Sequence, residues 1–313
     1  MPEAIVETAQ LFSLPKTAPV EAPPPLNGPT GTGRVVIGGA REVLASLPDG
    51  TFQTCVTSPP YWGLRDYGSE HQIGAEEMLD DYIAALVEVF REVRRTLRDD
   101  GTFWLNIGDS YTSGGRTWRD ADKKLAARGM GYRAPTPEGL KPKDLVGVPW
   151  RLAFALQADG WYLRSDIVWN KPNAIPESVK DRPSRSHELV FLFSKSLRYS
   201  YDYEAVREPV MNGEGTKGRR SVWSINTEPC PEAHFATFPR ELVRPCILAG
   251  SHAGSVVLDP FFGSGTVGEV AAVEGRDFLG IELNPEYAAI AQARLNGVAP
   301  GLIRVEAHGE TSR

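Results

Sequence analysis

Cysteine is scarce in this chain: three in 313 residues, at Cys55, Cys230 and Cys246. Three thiols without a repeating spacing supply neither a disulfide framework nor a thiolate metal cage. His234 and His252 carry no ligand-like spacing either, so no metal is expected. No apolar run approaches the length that spans a bilayer. The N-terminus lacks the basic segment and apolar core of a secretory leader. The expected compartment is therefore the cytoplasm. An excess of positive charge is also missing: 34 Lys and Arg face 40 Asp and Glu, for a net charge of −6. That balance disfavours a general nucleic-acid binder, yet it leaves room for a local basic patch. No internal repeat is visible.

What is present suits an α/β domain. Apolar residues make up 41% of the chain, enough for a full core, and the length fits one large domain or one and a half. Residues 1–33, with Pro23-Pro24-Pro25, are expected to be a flexible N-terminal segment. The core is expected over 34–300, with 301–313 as a C-terminal tail. Apolar residues Ile83, Leu86, Val87, Phe90 and Val93 recur at helical spacing and predict a helix over 82–97. Further readings are a strand over 101–107, a helix over 145–157 and strands over 161–169 and 188–193. The stretch 109–145 is glycine-rich, polar and basic, and 199–232 carries turns and basic residues around Trp223. Both are candidate insertions, since long loops in compact domains are usually functional or disordered.

Two short segments carry the chemistry. Phe52-Gln53-Thr54-Cys55-Val56-Thr57 reads as a buried strand, and Ser58-Pro59-Pro60-Tyr61-Trp62 follows it at once. Two prolines cannot extend a central strand, so the chain leaves the sheet at Ser58. Each proline fixes φ and lacks an amide hydrogen, and the residue before a proline is held extended. The bend is stiff and presents acceptors without competing donors. The Ser58 hydroxyl and the Pro59 carbonyl suit the two hydrogens of a planar amino group. Tyr61 or Trp62 supplies a flat surface for a ring. Arg65-Asp66-Tyr67 either shapes the same pocket or folds the loop.

The second segment is Asp259-Pro260-Phe261-Phe262-Gly263-Ser264-Gly265-Thr266, after the apolar run Ser255-Val256-Val257-Leu258. Strand, glycine turn and helix in this order make a nucleotide-type site, with glycines that let ligand and backbone approach closely. The next strand ends in Glu282, some twenty residues on, where a carboxylate accepts ribose hydroxyls. Leu283 and Asn284 follow, and Asn284-Pro285 opens another helix. The spacing is not GxGxxG, so a ligand without a pyrophosphate is favoured over a dinucleotide.

Together these segments resemble the amino-methyltransferases of DNA, in the group whose catalytic motif precedes its cofactor motif. The likeness covers residues 34 to 296. The first segment matches the family's catalytic motif, the second its S-adenosylmethionine motif, and Ile281-Glu282-Leu283-Asn284 its ribose-binding motif. Phe238 and Pro239, within Phe235-Ala236-Thr237-Phe238-Pro239-Arg240-Glu241-Leu242, are similar to the segment lining the methionine end of the cofactor. Arg164-Ser165-Asp166-Ile167-Val168-Trp169-Asn170-Lys171-Pro172 and Arg185-Ser186-His187-Glu188 are similar to later family motifs. The resemblance implies a Rossmann-like methyltransferase fold, mainly parallel with helices on both faces, in circularly permuted motif order.

It also implies methyl transfer from S-adenosylmethionine to an exocyclic base nitrogen of double-stranded DNA, after the base leaves the duplex. Ser58, Pro59, Pro60 and Tyr61 are then catalytic. Asp259, Pro260, Phe261, Gly263, Ser264, Gly265, Thr266, Glu282, Leu283, Asn284, Phe238 and Pro239 bind cofactor. Trp62, Arg116, Arg119, Lys123, Lys124, Arg185, Arg219 and Arg220 are candidate DNA contacts. His187 and Glu188 either line the base pocket or form a structural pair. Serine at the head of the motif is typical of cytosine N4 methylation, whereas aspartate is typical of adenine N6, so cytosine is expected and adenine is the alternative. A methylase acting on RNA or on protein glutamine is disfavoured by the motif order. A catalytically weak module that only binds DNA is disfavoured by the intact motifs. A cognate restriction endonuclease is a partner the resemblance allows, and the chain is expected to act as a monomer or homodimer. One departure stands out: where the family carries an acid after its first strand to touch the cofactor adenine, this chain has Gly39.

Overall fold

The computed structural model describes residues 31–63, 72–112, 135–210, 214–228, 238–301 and 303–309. Its strands in chain order are β1 (Gly33–Ile37), β2 (Phe52–Thr57), β3 (Leu97–Ile107), β4 (Tyr162–Asn170), β5 (His187–Ser194), β6 (Glu208–Pro209), β7 (Thr216–Lys217), β8 (Val222–Ser224), β9 (Val256–Asp259), β10 (Asp277–Glu282) and β11 (Ile303–Ala307). The helices are α1 (Ala40–Ser46), α2 (Leu79–Thr96), α3 (Val148–Ala158), α4 (Arg240–Gly250), α5 (Thr266–Val273) and α6 (Pro285–Asn296). Nine strands form one sheet in the order β11-β1-β10-β9-β2-β3-β5-β4-β8, while β6 and β7 make a separate hairpin. All pairings in the large sheet are parallel except those of β5, which runs against β3 and β4.

Side-chain alternation along the strands divides the core in two. Cys55, Phe103, Leu105, Leu258 and Ile281 pack on one face against α1, α2 and α3, with Val43, Leu86, Val93 and Leu152 beneath them. Val56, Trp104, Val257 and Phe278 face the other way, against Val243, Ile247, Val270 and Leu295 of α4, α5 and α6. All six residues of β2 are buried, as expected of a strand covered on both faces.

Several sequence expectations need correction. Residues 301–313 are not simply a tail, because Ile303–Ala307 pairs in parallel along the whole of β1. Without β11, the backbone groups on that side of β1 would form an unpaired sheet edge. The core correspondingly starts at Gly33. Part of the region 199–232 is also sheet: β8 adds to β4 in parallel and buries Trp223. Helix α4 had no sequence counterpart, because Pro245 sits inside it. Burial of Leu242, Val243, Cys246 and Ile247 offsets the helix bond that the proline removes. Among the described residues, no helix is long and apolar enough to cross a membrane.

Candidate active site

The proline bend and the glycine turn emerge side by side. Strands β2 and β9 are parallel neighbours, with Thr54 opposite Val257 and Cys55 opposite Leu258. Their carboxyl ends therefore open at the same edge, where ligands sit in such sheets. One hydrogen bond joins the segments directly: the Thr57 hydroxyl donates to Asp259 Oδ1 at 2.6 Å. The same oxygen accepts the Phe261 amide at 3.0 Å. Asp259 is buried, and burial pushes its carboxyl up to about 7 even though these two donors oppose the shift. Burial likewise holds the Cys55 thiol well above its ordinary value, with the Asp259 charge adding to the effect. Cys55 is a core residue and not a nucleophile.

The glycine turn is built for close approach. Gly263 and Gly265 have φ of 52° and 84°, backbone that side chains resist. Nothing lies within 4 Å of where a Cβ on Gly263 would be, so the turn is open above that residue. Gly265 stands at the N-terminus of α5. Glu282 ties the turn to the neighbouring strand: one carboxylate oxygen accepts the Gly263 amide at 2.7 Å, the other the Asn284 amide at 2.8 Å. Burial raises the Glu282 pKa and these amide donors lower it. Each oxygen keeps capacity for a further donor. Asn284 itself caps α6, accepting the Glu286 amide at 2.8 Å.

On the far side of the bend, the Pro60 carbonyl accepts the Tyr82 hydroxyl at 2.8 Å, which anchors the loop to α2. The Tyr61 ring lies against Gly108, where a Cβ would strike it. Its hydroxyl donates to Glu188 at 2.9 Å. Glu188 also accepts the Asn106 amide at 3.2 Å and pairs with Lys171, whose ammonium lies over the Trp169 ring at 4.1 Å. Burial holds the Tyr61 phenol well above its ordinary pKa, the Glu188 charge adds to this, and the Ser58 hydroxyl opposes it. Residues from four separated segments thus converge on one ring.

Both halves face one cavity of about 1110 Å³. Ser58, Pro59, Pro60 and Tyr61 line it, as do Pro260, Phe261, Gly263, Ser264 and Thr266. Glu282, Leu283, Asn284 and Phe238 complete the predicted set that reaches it. Asp259, Gly265 and Pro239 are not on the wall; they shape the turn and the start of α4.

The candidate DNA contacts divide. Trp62 also borders the cavity, but it is 7% exposed and its indole N–H donates to the Glu76 carbonyl at 2.9 Å, so it is an anchor of the loop and not a side chain offered to DNA. Arg185 points inward to the cavity beside Asp109. Arg219 stacks on Trp223 at 4.6 Å, and Arg220 reaches Glu208 at 3.2 Å; neither borders the cavity. Arg116, Arg119, Lys123 and Lys124 lie outside the described residues.

Sequence reading missed Asn106, Lys171 and Glu42 as site residues. Asn106 left a signal: a lone amide inside the apolar run Thr102-Phe103-Trp104-Leu105-Asn106-Ile107. Glu42 left none, and it answers the Gly39 departure. A Cβ on Gly39 would collide with the Glu42 carboxylate, and both residues line the cavity. An acid from the first turn of α1 therefore occupies the place vacated at position 39. That place adjoins Glu282, because Ile37 pairs with Glu282 across β1 and β10.

A carboxylate able to hold a ribose, set across one cavity from a stiff loop of acceptors, is the layout of a group-transfer enzyme with a nucleoside donor. Comparison with known proteins narrows the class. The DNA methylase family model matches residues 52–293. The Type II methyltransferase M.SmaI of Serratia marcescens is 63% identical over 263 residues, which is 84% of this chain and 90% of that protein. The Type II methyltransferase M.Cfr9I of Citrobacter freundii is 61% identical over 282 residues, 90% and 92% of the two chains. Among solved structures, the PvuII cytosine-N4-specific DNA methyltransferase superposes with a TM-score of 0.65 at 20% identity, over 90% of this chain and 97% of that one, which shows a shared fold. A putative DNA modification methylase of Thermus thermophilus, solved in complex with S-adenosyl-L-methionine, superposes with a TM-score of 0.61 at 27% identity, over 89% and 100% of the chains. This chain belongs to the DNA methylase family, whose members are S-adenosylmethionine-dependent DNA amino-methyltransferases.

Proposed function

We propose that this protein is a site-specific modification enzyme that methylates the exocyclic N4 of cytosine in double-stranded DNA. The observation that carries this reading is the adjacency of β2 and β9, which sets Ser58 and Gly263 on one cavity. The site fits S-adenosylmethionine: Glu282 suits the ribose hydroxyls, the open face of Gly263 admits the ligand backbone, and Glu42 suits the adenine amino group. When bound, that cofactor supplies an electrophilic methyl group. The protein's own work is positional. Ser58 Oγ and the Pro59 carbonyl accept the two amino hydrogens, which turns the nitrogen lone pair away from the ring and into the cavity. Tyr61, fixed through its hydroxyl, offers its ring as a stacking surface for the extruded base. Transfer leaves the nitrogen cationic and the donor as the neutral thioether; the nitrogen then releases one of its two hydrogens as a proton to solvent at the cavity mouth. Apolar walls at Phe238, Pro260 and Phe261 exclude water from the reacting atoms.

Serine at the head of the bend supports cytosine over adenine, through the resemblance of this motif to cytosine-N4 enzymes. The described ends of 109–145 are joined as a narrow stalk, with Tyr111 bridged to Leu145 and the Thr112 amide on the Asp144 carbonyl at 2.9 Å. That geometry, at the two described ends, supports 109–145 as a candidate recognition insertion beside 199–232. The Type II relatives support a cognate endonuclease with the same recognition sequence. The test is incubation with unmethylated genomic DNA and labelled S-adenosylmethionine, then mass spectrometry of the nucleosides. Label in N4-methylcytosine is the expected outcome; label in N6-methyladenine would reassign the base, and no label would refute the activity.

A further inference from the structure

The loop between β4 and β5 is tied down at its base and on both sides of Ile175. Its ends are pinned where the Lys171 amide donates to the Ser186 carbonyl at 2.8 Å. The Ala174 amide turns back to the Lys171 carbonyl at 3.0 Å. Asn173 exchanges three hydrogen bonds with Thr227, at 3.1, 2.9 and 3.3 Å. Farther round, Arg182 pairs with Glu177 at 2.5 Å and its guanidinium covers the Tyr111 ring at 3.7 Å. Lys143 reaches Asp181 at 2.8 Å. Between the ties at Asn173 and Glu177 stands Ile175, which lines the cavity and is 86% exposed, more than any other large apolar side chain among the described residues.

Scattered apolar residues on a surface need no explanation. Ile175 differs in two respects: it sits on the rim of the reaction cavity, and the loop carrying it is braced on both sides. A β-branched side chain has few rotamers, so a stiff loop holds it out as a stiff point. A polar or charged residue there would suit a phosphate; an isoleucine does not. What it suits is a flat apolar gap, and a duplex presents one when a base leaves the stack. Apolar side chains fill such gaps in proteins that unstack DNA.

We propose that Ile175 is the wedge that enters the base stack of duplex DNA beside the extruded target nucleotide. This rests on the reading that the enzyme acts on a base taken out of a duplex. Lys180, exposed on the same loop, adds a positive charge to it, which suits a phosphate backbone.

The test first reads the modified sequence from unmethylated plasmid DNA treated with wild-type enzyme. Two synthetic duplexes with that sequence are then compared, one with the target base normally paired and one with an abasic site opposite it. On the paired duplex, Ile175→Ala should lower kcat/KM by about 10- to 100-fold, the penalty expected when an unstacked step loses its filler. On the abasic duplex the deficit should shrink to about threefold, because little pairing is left to break. Ile175→Leu should stay near wild type on both, and the Kd for S-adenosylmethionine should not move in either variant. Full activity of Ile175→Ala on paired DNA would overturn the wedge, and so would an equal loss on both duplexes. If wild-type enzyme methylates no DNA, the functional reading itself fails, a result distinct from either.

Discussion

The two walls of the cavity are built on different plans. The wall proposed to hold the cofactor is drawn mostly from two short stretches, Pro260 to Thr266 apart from Gly265 and Glu282 to Asn284, with Phe238 and Glu42 beside them, and Glu282 bonds back to Gly263 within 19 positions. The wall proposed to receive the base is assembled from the ends of β2, β3, β4 and β5. Tyr61, Asn106, Lys171 and Glu188 meet there across as many as 127 positions. A local wall tolerates change elsewhere in the fold. An assembled wall depends on the register of every strand that feeds it. At their root, the Thr57 hydroxyl bond to Asp259 links the two through side chains.

This contrast is open to direct attack. The largest effect should come from the acceptor loop. Replacing Ser58 and Pro59 together by alanine should lower single-turnover methyl transfer by about 10³-fold, the scale of a lost set of positioned polar groups, with the cofactor Kd changed by no more than about twofold. Calorimetry with S-adenosylmethionine checks the second half; equal loss of binding would erase the division between walls. On the cofactor side the reverse split is expected. Glu282→Gln should weaken cofactor binding by about 10- to 100-fold, the worth of hydrogen bonds to a charged acceptor, while kcat at saturating cofactor stays within about threefold. Glu42→Gln should act in the same direction at about threefold, because its site is exposed.

The assembled wall makes a coupling prediction. Tyr61→Phe and Glu188→Ala should each lower kcat by about tenfold, and the double variant should be no worse than either, since both remove the same constraint on one ring. Additive losses, measured in a double-mutant cycle, would break the network into independent parts.

The root link titrates. Burial raises the Asp259 carboxyl to about 7 in the folded protein, above an unfolded value of about 3.9. The folded state then holds the proton more tightly between those values, so the stability from this group is full below pH 4 and is lost as pH rises to about 7. Asp259→Asn should remove that slope, by on the order of 1–2 kcal/mol in denaturant midpoints compared across the range. Glu282 and Asp277 are shifted upward in the same direction but remain in both proteins, so they cancel in the comparison. Parallel curves for the two proteins would contradict the role of burial at Asp259.

The same difference in construction explains what could be read before folding. The cofactor wall was legible because its chemistry follows chain order: strand, glycine turn, helix, strand, acid. The sheet was legible in outline because β2, β9 and β10 carry apolar runs bounded by turn residues. Helix α4 was hidden by Pro245, whose local signal opposes the buried face that decides the outcome. Strand β11 was hidden because its side chains are only partly buried and its pairing with β1 spans 270 positions. Glu188 was singled out with His187 for the base pocket or a structural pair, but Lys171 read as an ordinary charge at a strand end, and nothing in their spacing says that the two meet. Glu42 became visible only once Gly39 was seen to leave room for it. Trp62 was misread because aromatic character alone does not distinguish a stacking surface from an anchor.

A crystal structure with the demethylated product S-adenosylhomocysteine bound tests the shared cavity most directly. Ribose hydroxyls on Glu282, with the sulfur facing Ser58 and Pro59 across the mouth of β2 and β9, is the predicted result. A ligand bound elsewhere, or one whose sulfur end turns away from the proline bend, would contradict it.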